Sequence, residues 1–289
     1  MTCIARYLVV VLASLGIVAP ALSQAPNRNI RFGMPAEAKA DPAEKQAFLI
    51  ERPQYVISYN DKTKTPNWVS WQLTKSDIGT TPRGSFEPDE KGLPDPFKRV
   101  TSGTYNGSGF DRGHMCNSAD RSSSEENNDA TFLMTNIIPQ APNNNQKAWE
   151  RLETYCRDLA KAGNELYIVA GPFGIGGTGK QGFKSTIGPA GMKVTVPSHT
   201  WKVILVLPNK QAEPGRRTRT IAVWLPNDQT VNEDWAQFRV SINDVEEHTG
   251  FNFFPKIDGK VASIIKDQVD NEPISAKPAG KKKKKKSAE

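Results

Sequence analysis

The sequence predicts a mixed α+β fold with a central, mostly antiparallel sheet flanked by helices and long loops. Three observations predict it. Several short runs carry strand patterning, an amphipathic helix stands out over residues 145–162, and strands and helices do not alternate regularly. The last point argues against a doubly wound parallel sheet. The 289 residues are 37% hydrophobic and 24% charged, which suits one domain of about 200–250 residues with tails.

Residues 1–23 read as a cleaved export signal: Arg6 supplies a short basic start, residues 7–20 are almost wholly apolar, and Ala21, Leu22 and Ser23 provide small residues for cleavage. The apolar run is short for a membrane span, so no stable insertion is expected after cleavage. The mature protein is expected in a periplasm or outside the cell. Residues 24–48 are rich in Pro, Ala, Asn and Lys and read as a linker or arm, with ordered structure expected from near Phe48 and a folded domain over residues 49–267.

Residues 55–59 and 68–73 are strand-like around a turn at Asn60, Asp61 and Lys62, which predicts a hairpin. Residues 78–110 are dense in Gly, Pro, Ser and Asp, a long irregular segment of the kind that often carries function. Residues 131–138 read as a buried strand ended by Pro139. Asn143, Asn144 and Asn145 are suited to capping the helix that follows, whose apolar positions Ala148, Trp149, Leu152, Tyr155, Cys156 and Leu159 recur at helical spacing before Gly163. Further strands are expected at 165–170, 200–207 and 219–225, and a last helix over 234–249 with Gly250 as its stop. Residues 268–289 form a lysine-rich tail expected to be disordered.

The net charge of +7 belongs mostly to the ends. Seven lysines from Lys277 onward against Glu289 carry +6 and Arg6 carries +1, so residues 24–276 carry no net charge. The tail reads as a solvated block, with contact to polyanions as its functional alternative. Cys116 and Cys156 remain after signal removal, either as one disulfide in an oxidising compartment or as two buried thiols.

Asp111-Arg112-Gly113-His114 places an imidazole and a guanidinium across a glycine. Arg matches phosphate geometry with its fork of donors, and a neutral His can take a proton from water near pH 7. Asn145 and Glu153 are eight residues apart, about 80° around a helix and about 12 Å along it. An Asn oxygen is a legitimate ligand for a hard cation that keeps several waters.

Residues 111–121, then 136–140, then Asn145-Gln146 with Trp149, Leu152 and Glu153, closely resemble the DNA/RNA non-specific endonuclease family, the sugar-non-specific nucleases of the ββα-metal (His-Me finger) superfamily. Residues 168–172, 201–203, 224–227 and 249–251 are similar to later family segments, so the likeness runs from about Tyr55 to Pro255. It implies a ββα-metal nuclease fold and hydrolysis of DNA and RNA through contacts to the phosphate backbone. It implies His114 as general base, Asn145 as the protein ligand of one Mg²⁺ (with Mn²⁺ able to substitute), and Glu153 as holder of the metal's water shell. Arg112 would contact phosphate, Arg83 would stabilise charge building on it, and Asp111 and Asn136 would orient the site. Where many relatives carry proline three residues after the histidine, this chain has Asn117, a change expected to relax the turn without removing a catalytic group.

Residues 174–180 nearly spell a phosphate-binding P-loop, but Gln181 replaces the Ser or Thr that would hold Mg²⁺ and no helix pattern follows, so a surface loop is expected and a P-loop nucleotidase is disfavoured. His199 and His248 lack catalytic context. The alternative function is a secreted polyanion-binding protein with a decayed nuclease site and a working lysine tail. The presence of every catalytic position argues against it.

Overall fold

Strand runs apolar on both faces need cover on both sides, and this requirement organises the fold. The computed structural model describes residues 27–208 and 212–274. In chain order its strands are β1 (Phe48–Glu51), β2 (Val56–Asn60), β3 (Thr65–Leu73), β4 (Asp111–His114), β5 (Ile137–Gln140), β6 (Glu165–Phe173), β7 (Gly177–Gly179), β8 (Gly182–Lys184), β9 (Thr186–Ile187), β10 (Val194–Thr195), β11 (His199–Leu207), β12 (Arg219–Pro226) and β13 (Arg239–Val240). The α-helices are α1 (Glu125–Ala130), α2 (Glu150–Lys161), α3 (Ile242–Thr249) and α4 (Gly259–Asp267).

Seven strands form one antiparallel sheet in the order β1-β2-β3-β6-β11-β12-β13. Side chains alternate across it. Val69, Trp71, Ile168, Ala170, Ile204 and Ile221 pack on one face with Trp149, Leu152, Cys156 and Ala160 from the α2 region. Trp68, Val169, Trp201 and Val203 pack on the other with Ile242, Val245 and Ile265 from α3 and α4. The expected β2–β3 hairpin is present, with a register shift between Ser58 and Tyr59.

The segment expected as a linker before Phe48 is already ordered at Asn27. Phe32 and Ala38 are buried in the second core. Asn29 accepts from the Gln72 backbone N–H at 3.1 Å and, through its carbonyl, from Ser70 Oγ at 2.6 Å. This arm covers sheet surface that would otherwise face water, which its polar composition concealed. At the other end, Asp270 is buried between Arg219 (2.7 Å) and Arg239 (3.3 Å), so the first residues of the expected tail belong to the body. Residues 1–23 and 281–286 lie outside the described residues.

Three expectations shift. Residues 131–136 do not form a strand: they turn through a 3-10 segment, Met134–Asn136, before β5. Asn136 binds backbone groups there, and such side-chain bonds compete with a strand ladder. The expected last helix is divided into a 3-10 turn, β13 and α3, because Ser241 and Asp244 form a capping box that starts a new helix. Helix α4, capped by Asp258, was not expected. Among the described residues no helix is long and apolar enough to cross a membrane.

Asp270→Ala should destabilise the protein by about 3 kcal/mol, since it strips a buried carboxylate from two arginines. Urea unfolding measures this. A change within about 0.5 kcal/mol, the range of ordinary surface substitutions, would show that the segment is not integral.

Candidate active site

β4 and β5 pair antiparallel with Asp111 opposite Gln140 and His114 opposite Ile137. The chain then enters a π-helical turn, Asn144–Trp149, which continues into α2. The sequence suggested one regular helix capped by its asparagines, but no side chain caps this turn. The three asparagines bind other parts of the fold instead. Asn143 Nδ2 donates to the Gln229 carbonyl at 2.5 Å. Asn144 donates to Thr200 Oγ1 and the Pro226 carbonyl, and accepts from Gln140 Nε2 at 2.6 Å. Asn145 Nδ2 donates to Asp111 Oδ2 at 2.9 Å, beside a second bond from Gln146.

Strand alternation divides the tetrapeptide. Asp111 and Gly113 face the π-turn. A Cβ on Gly113 would stand 2.1 Å from Gln140 Oε1, so only glycine permits this approach. Arg112 and His114 face away from the turn, toward Phe86 and Phe132. His114 is only 8% exposed, and its Nε2 is buried without a hydrogen-bond partner. The ring centroids of Phe86 and Phe132 lie 5.2 and 4.8 Å from its own. Burial first, then the Arg83 charge, lowers its pKa to about 3. The imidazole is therefore neutral at pH 7.

Each arginine stands one aromatic ring from His114. Arg83 is exposed, lies 5.1 Å above Phe132 and donates to Ser118 Oγ. Arg112 lies 5.4 Å above Phe86, and its Nε and Nη2 hold the Ser102 carbonyl and Asn106 Oδ1. Arg83 thus presents the more accessible guanidinium. Asn136 acts behind His114: its amide donates to the carbonyls of Cys116 and Thr131, its Oδ1 accepts from the Cys116 N–H, and its carbonyl accepts from the Met115 N–H. It therefore pins the chain leaving β4.

Glu153 is buried under α2 with its pKa raised to about 7 by desolvation, an effect opposed by Lys202. Asn117 Nδ2 donates to its Oε2, and Lys202 Nζ lies 3.7 Å from its Oε1. Asp120 and Arg157 extend this polar cluster at 3.2 Å. Sequence reasoning assigned no role to Asn117 or Lys202. A lysine at an interior position of the apolar strand 200–207 was the available signal.

Among the described residues no group of three or more His, Cys, Asp or Glu side chains could hold a metal. The donors present suit a hard cation with few protein ligands and several waters. Asn145 fits that role, because Asp111 holds its amide nitrogen while Oδ1 has no hydrogen bond among the described residues. Cys116 and Cys156 are free, buried thiols, each pushed up to about 12 by desolvation. The P-loop-like stretch contributes to the β7–β8 hairpin and starts no helix. His199 and His248 lie 5.4 and 4.5 Å from the Trp224 ring centroid.

The model of the DNA/RNA non-specific endonuclease family matches residues 33–260. A nuclease of Nostoc sp. is 42% identical over 258 residues, covering 86% of this chain and 89% of its own length. Mitochondrial endonuclease G of Homo sapiens is 31% identical over 243 residues, covering 81% of this chain and 75% of its own. A solved chain of the EndoG/EndoGI complex, which concerns EndoG inhibition, superposes with a TM-score of 0.67 at 27% identity, covering 81% of this chain and 93% of that one. Nucleases of this ββα-metal family bind nucleic acid and use a divalent metal ion. By fold and by sequence the chain belongs to the DNA/RNA non-specific endonuclease family and is a DNA/RNA endonuclease.

Proposed function

We propose that the protein is an exported, Mg²⁺-dependent endonuclease that hydrolyses DNA and RNA with little sequence preference. One observation carries the reading: a buried, neutral His114 with an unpartnered Nε2 stands on the strand whose first residue, Asp111, orients Asn145. His114 takes the proton of the attacking water. Asn145 Oδ1 would ligate the metal, and Glu153 would hold the metal's water shell. The bound cation would supply neutralisation of the phosphate and of the leaving oxygen.

Arg83, exposed at the mouth, contacts the phosphate and stabilises charge building on it. Arg112 reaches the phosphate only if it loosens its grip on Ser102 and Asn106, so it acts as a secondary contact. A bound phosphate beside His114 counters both burial and Arg83, and so raises the basicity of the imidazole. Contacts of this kind address the backbone rather than base edges, which accounts for indifference to sequence. The segment 1–23 supports export to a periplasm or the medium, and the lysine tail adds a contact for polyanions.

Plasmid DNA and RNA should both be cut with Mg²⁺, should be left intact with chelator, and should be cut at least about 100-fold more slowly by His114→Ala, the scale of general base catalysis. An inactive wild type with metal, or a fully active His114→Ala, overturns the reading. Acid stability offers a separate check. The folded protein keeps His114 neutral down to about pH 3, whereas the unfolded chain protonates it near pH 6.5. This contribution is therefore complete above pH 6.5 and is lost as pH falls toward 3, by up to about 1.4 kcal/mol per pH unit. Between pH 6.5 and 5 the metal-free wild type should lose about 1–2 kcal/mol more than His114→Gln in urea unfolding. Equal losses would refute the buried neutral histidine.

A further inference from the structure

Glu153 is gripped on both oxygens by groups that lie outside α2. Asn117, in the turn after β4, donates its amide to Oε2, and Lys202, from β11, places its ammonium 3.7 Å from Oε1. We propose that Asn117 and Lys202 are positioning residues, a two-point clamp that fixes Glu153 as the anchor of the metal's water shell. This rests on the proposed role of Glu153.

The backbone at Asn117 does not require asparagine. Its φ of −72° and ψ of 143° suit proline, and its N–H makes no hydrogen bond among the described residues. What asparagine adds is its side chain, and both ends of that are used. Nδ2 holds Glu153, while Oδ1 accepts from the Ala119 N–H at 2.7 Å and from Arg157 at 3.4 Å. Asparagine here thus supplies a grip on a carboxylate that proline, which fits the same backbone, would lack.

Lys202 is 1% exposed on the face of the sheet where its neighbours Ile204 and Val206 are aliphatic. Its ammonium stands 4.2 Å from the Trp149 ring centroid and 5.4 Å from that of Trp71, with no hydrogen bond among the described residues. A leucine or methionine could fill this space without the penalty of burying a charge. The indole faces hold the cation in one place, and its anion there is Glu153. With one partner on each oxygen the carboxylate cannot swing, and its remaining lone pairs are left for water.

The test measures Mn²⁺ binding by calorimetry on nucleic-acid-free protein, alongside the metal dependence of cleavage. Asn117→Pro and Lys202→Met should each weaken Mn²⁺ binding about 10-fold, the scale of outer-shell changes at metal sites, with a larger rise in the half-activating metal concentration than fall in kcat. Asn117→Pro should add no further weakening to Glu153→Gln, because both remove the same anchor. If Lys202→Met does not fold, Asn117→Pro carries the test, with its metal-free Tm as the folding control. Wild-type Mn²⁺ affinity in the clamp variants, together with weakened affinity in Glu153→Gln, overturns the clamp. Unchanged affinity in Glu153→Gln overturns the reading of Glu153 itself, and the clamp with it.

Discussion

The π-helical turn at Asn144–Trp149 is the constraint on which the site depends. A widened turn lets consecutive side chains leave in directions that a regular helix would not allow. Asn143 reaches the Gln229 loop, Asn144 reaches β11 and β12, and Asn145 reaches β4. Each such bond contributes on the order of 0.5–1.5 kcal/mol net, and together they lock the start of α2 to three separate parts of the fold. The bond from Asn145 to Asp111 then fixes both the amide that would meet a metal and the strand that bears His114.

Below that turn lies a cluster of charges that a design for stability alone would avoid. Glu153, Lys202, Asp120 and Arg157 sit where the sheet packs on α2. Desolvation of such groups often exceeds their mutual attraction, so a buried ion pair is weak evidence for stability. Their burial instead serves orientation. A carboxylate on a surface helix would sample several rotamers, whereas Glu153 is enclosed and held at both oxygens. The aromatic walls around His114 act similarly, since Phe86 and Phe132 fix the ring by shape and keep its charge off.

What was legible in the sequence was local. The tetrapeptide, the β2–β3 hairpin, the body of α2 ending near Gly163, and the core strands follow from residue type and period. What was not legible depends on partners far along the chain. The polar arm around Asn29 looks like a linker until Ser70 and Gln72 are seen to bind it. The asparagine triplet looks like a cap because capping is the local use of asparagine, while its actual partners lie up to 86 residues away. Asn117 looked like a relaxed turn because its partner, Glu153, lies 36 residues on. The resemblance to a nuclease family named candidate reacting groups but not the contacts that support them, since those contacts depend on partners far along the chain.

A neutral body that acts on a polyanion must place its cations selectively. Long-range attraction from net charge is absent over residues 24–276, so in the proposed function encounter with nucleic acid would fall to the lysines after residue 276 and to local groups such as Arg83. At physiological salt, exposed charges are screened beyond about 8 Å. A guanidinium at the mouth of the site therefore attracts a phosphate only once the backbone is nearly in place. Such an arrangement separates capture from chemistry. On the proposed mechanism the tail would raise the local concentration of substrate without regard to register, whereas Arg83, His114 and Asn145 would act on whichever phosphate arrives between them. Neither step would read a base, so the proposed lack of sequence preference would follow from where the charges are and from what they can touch.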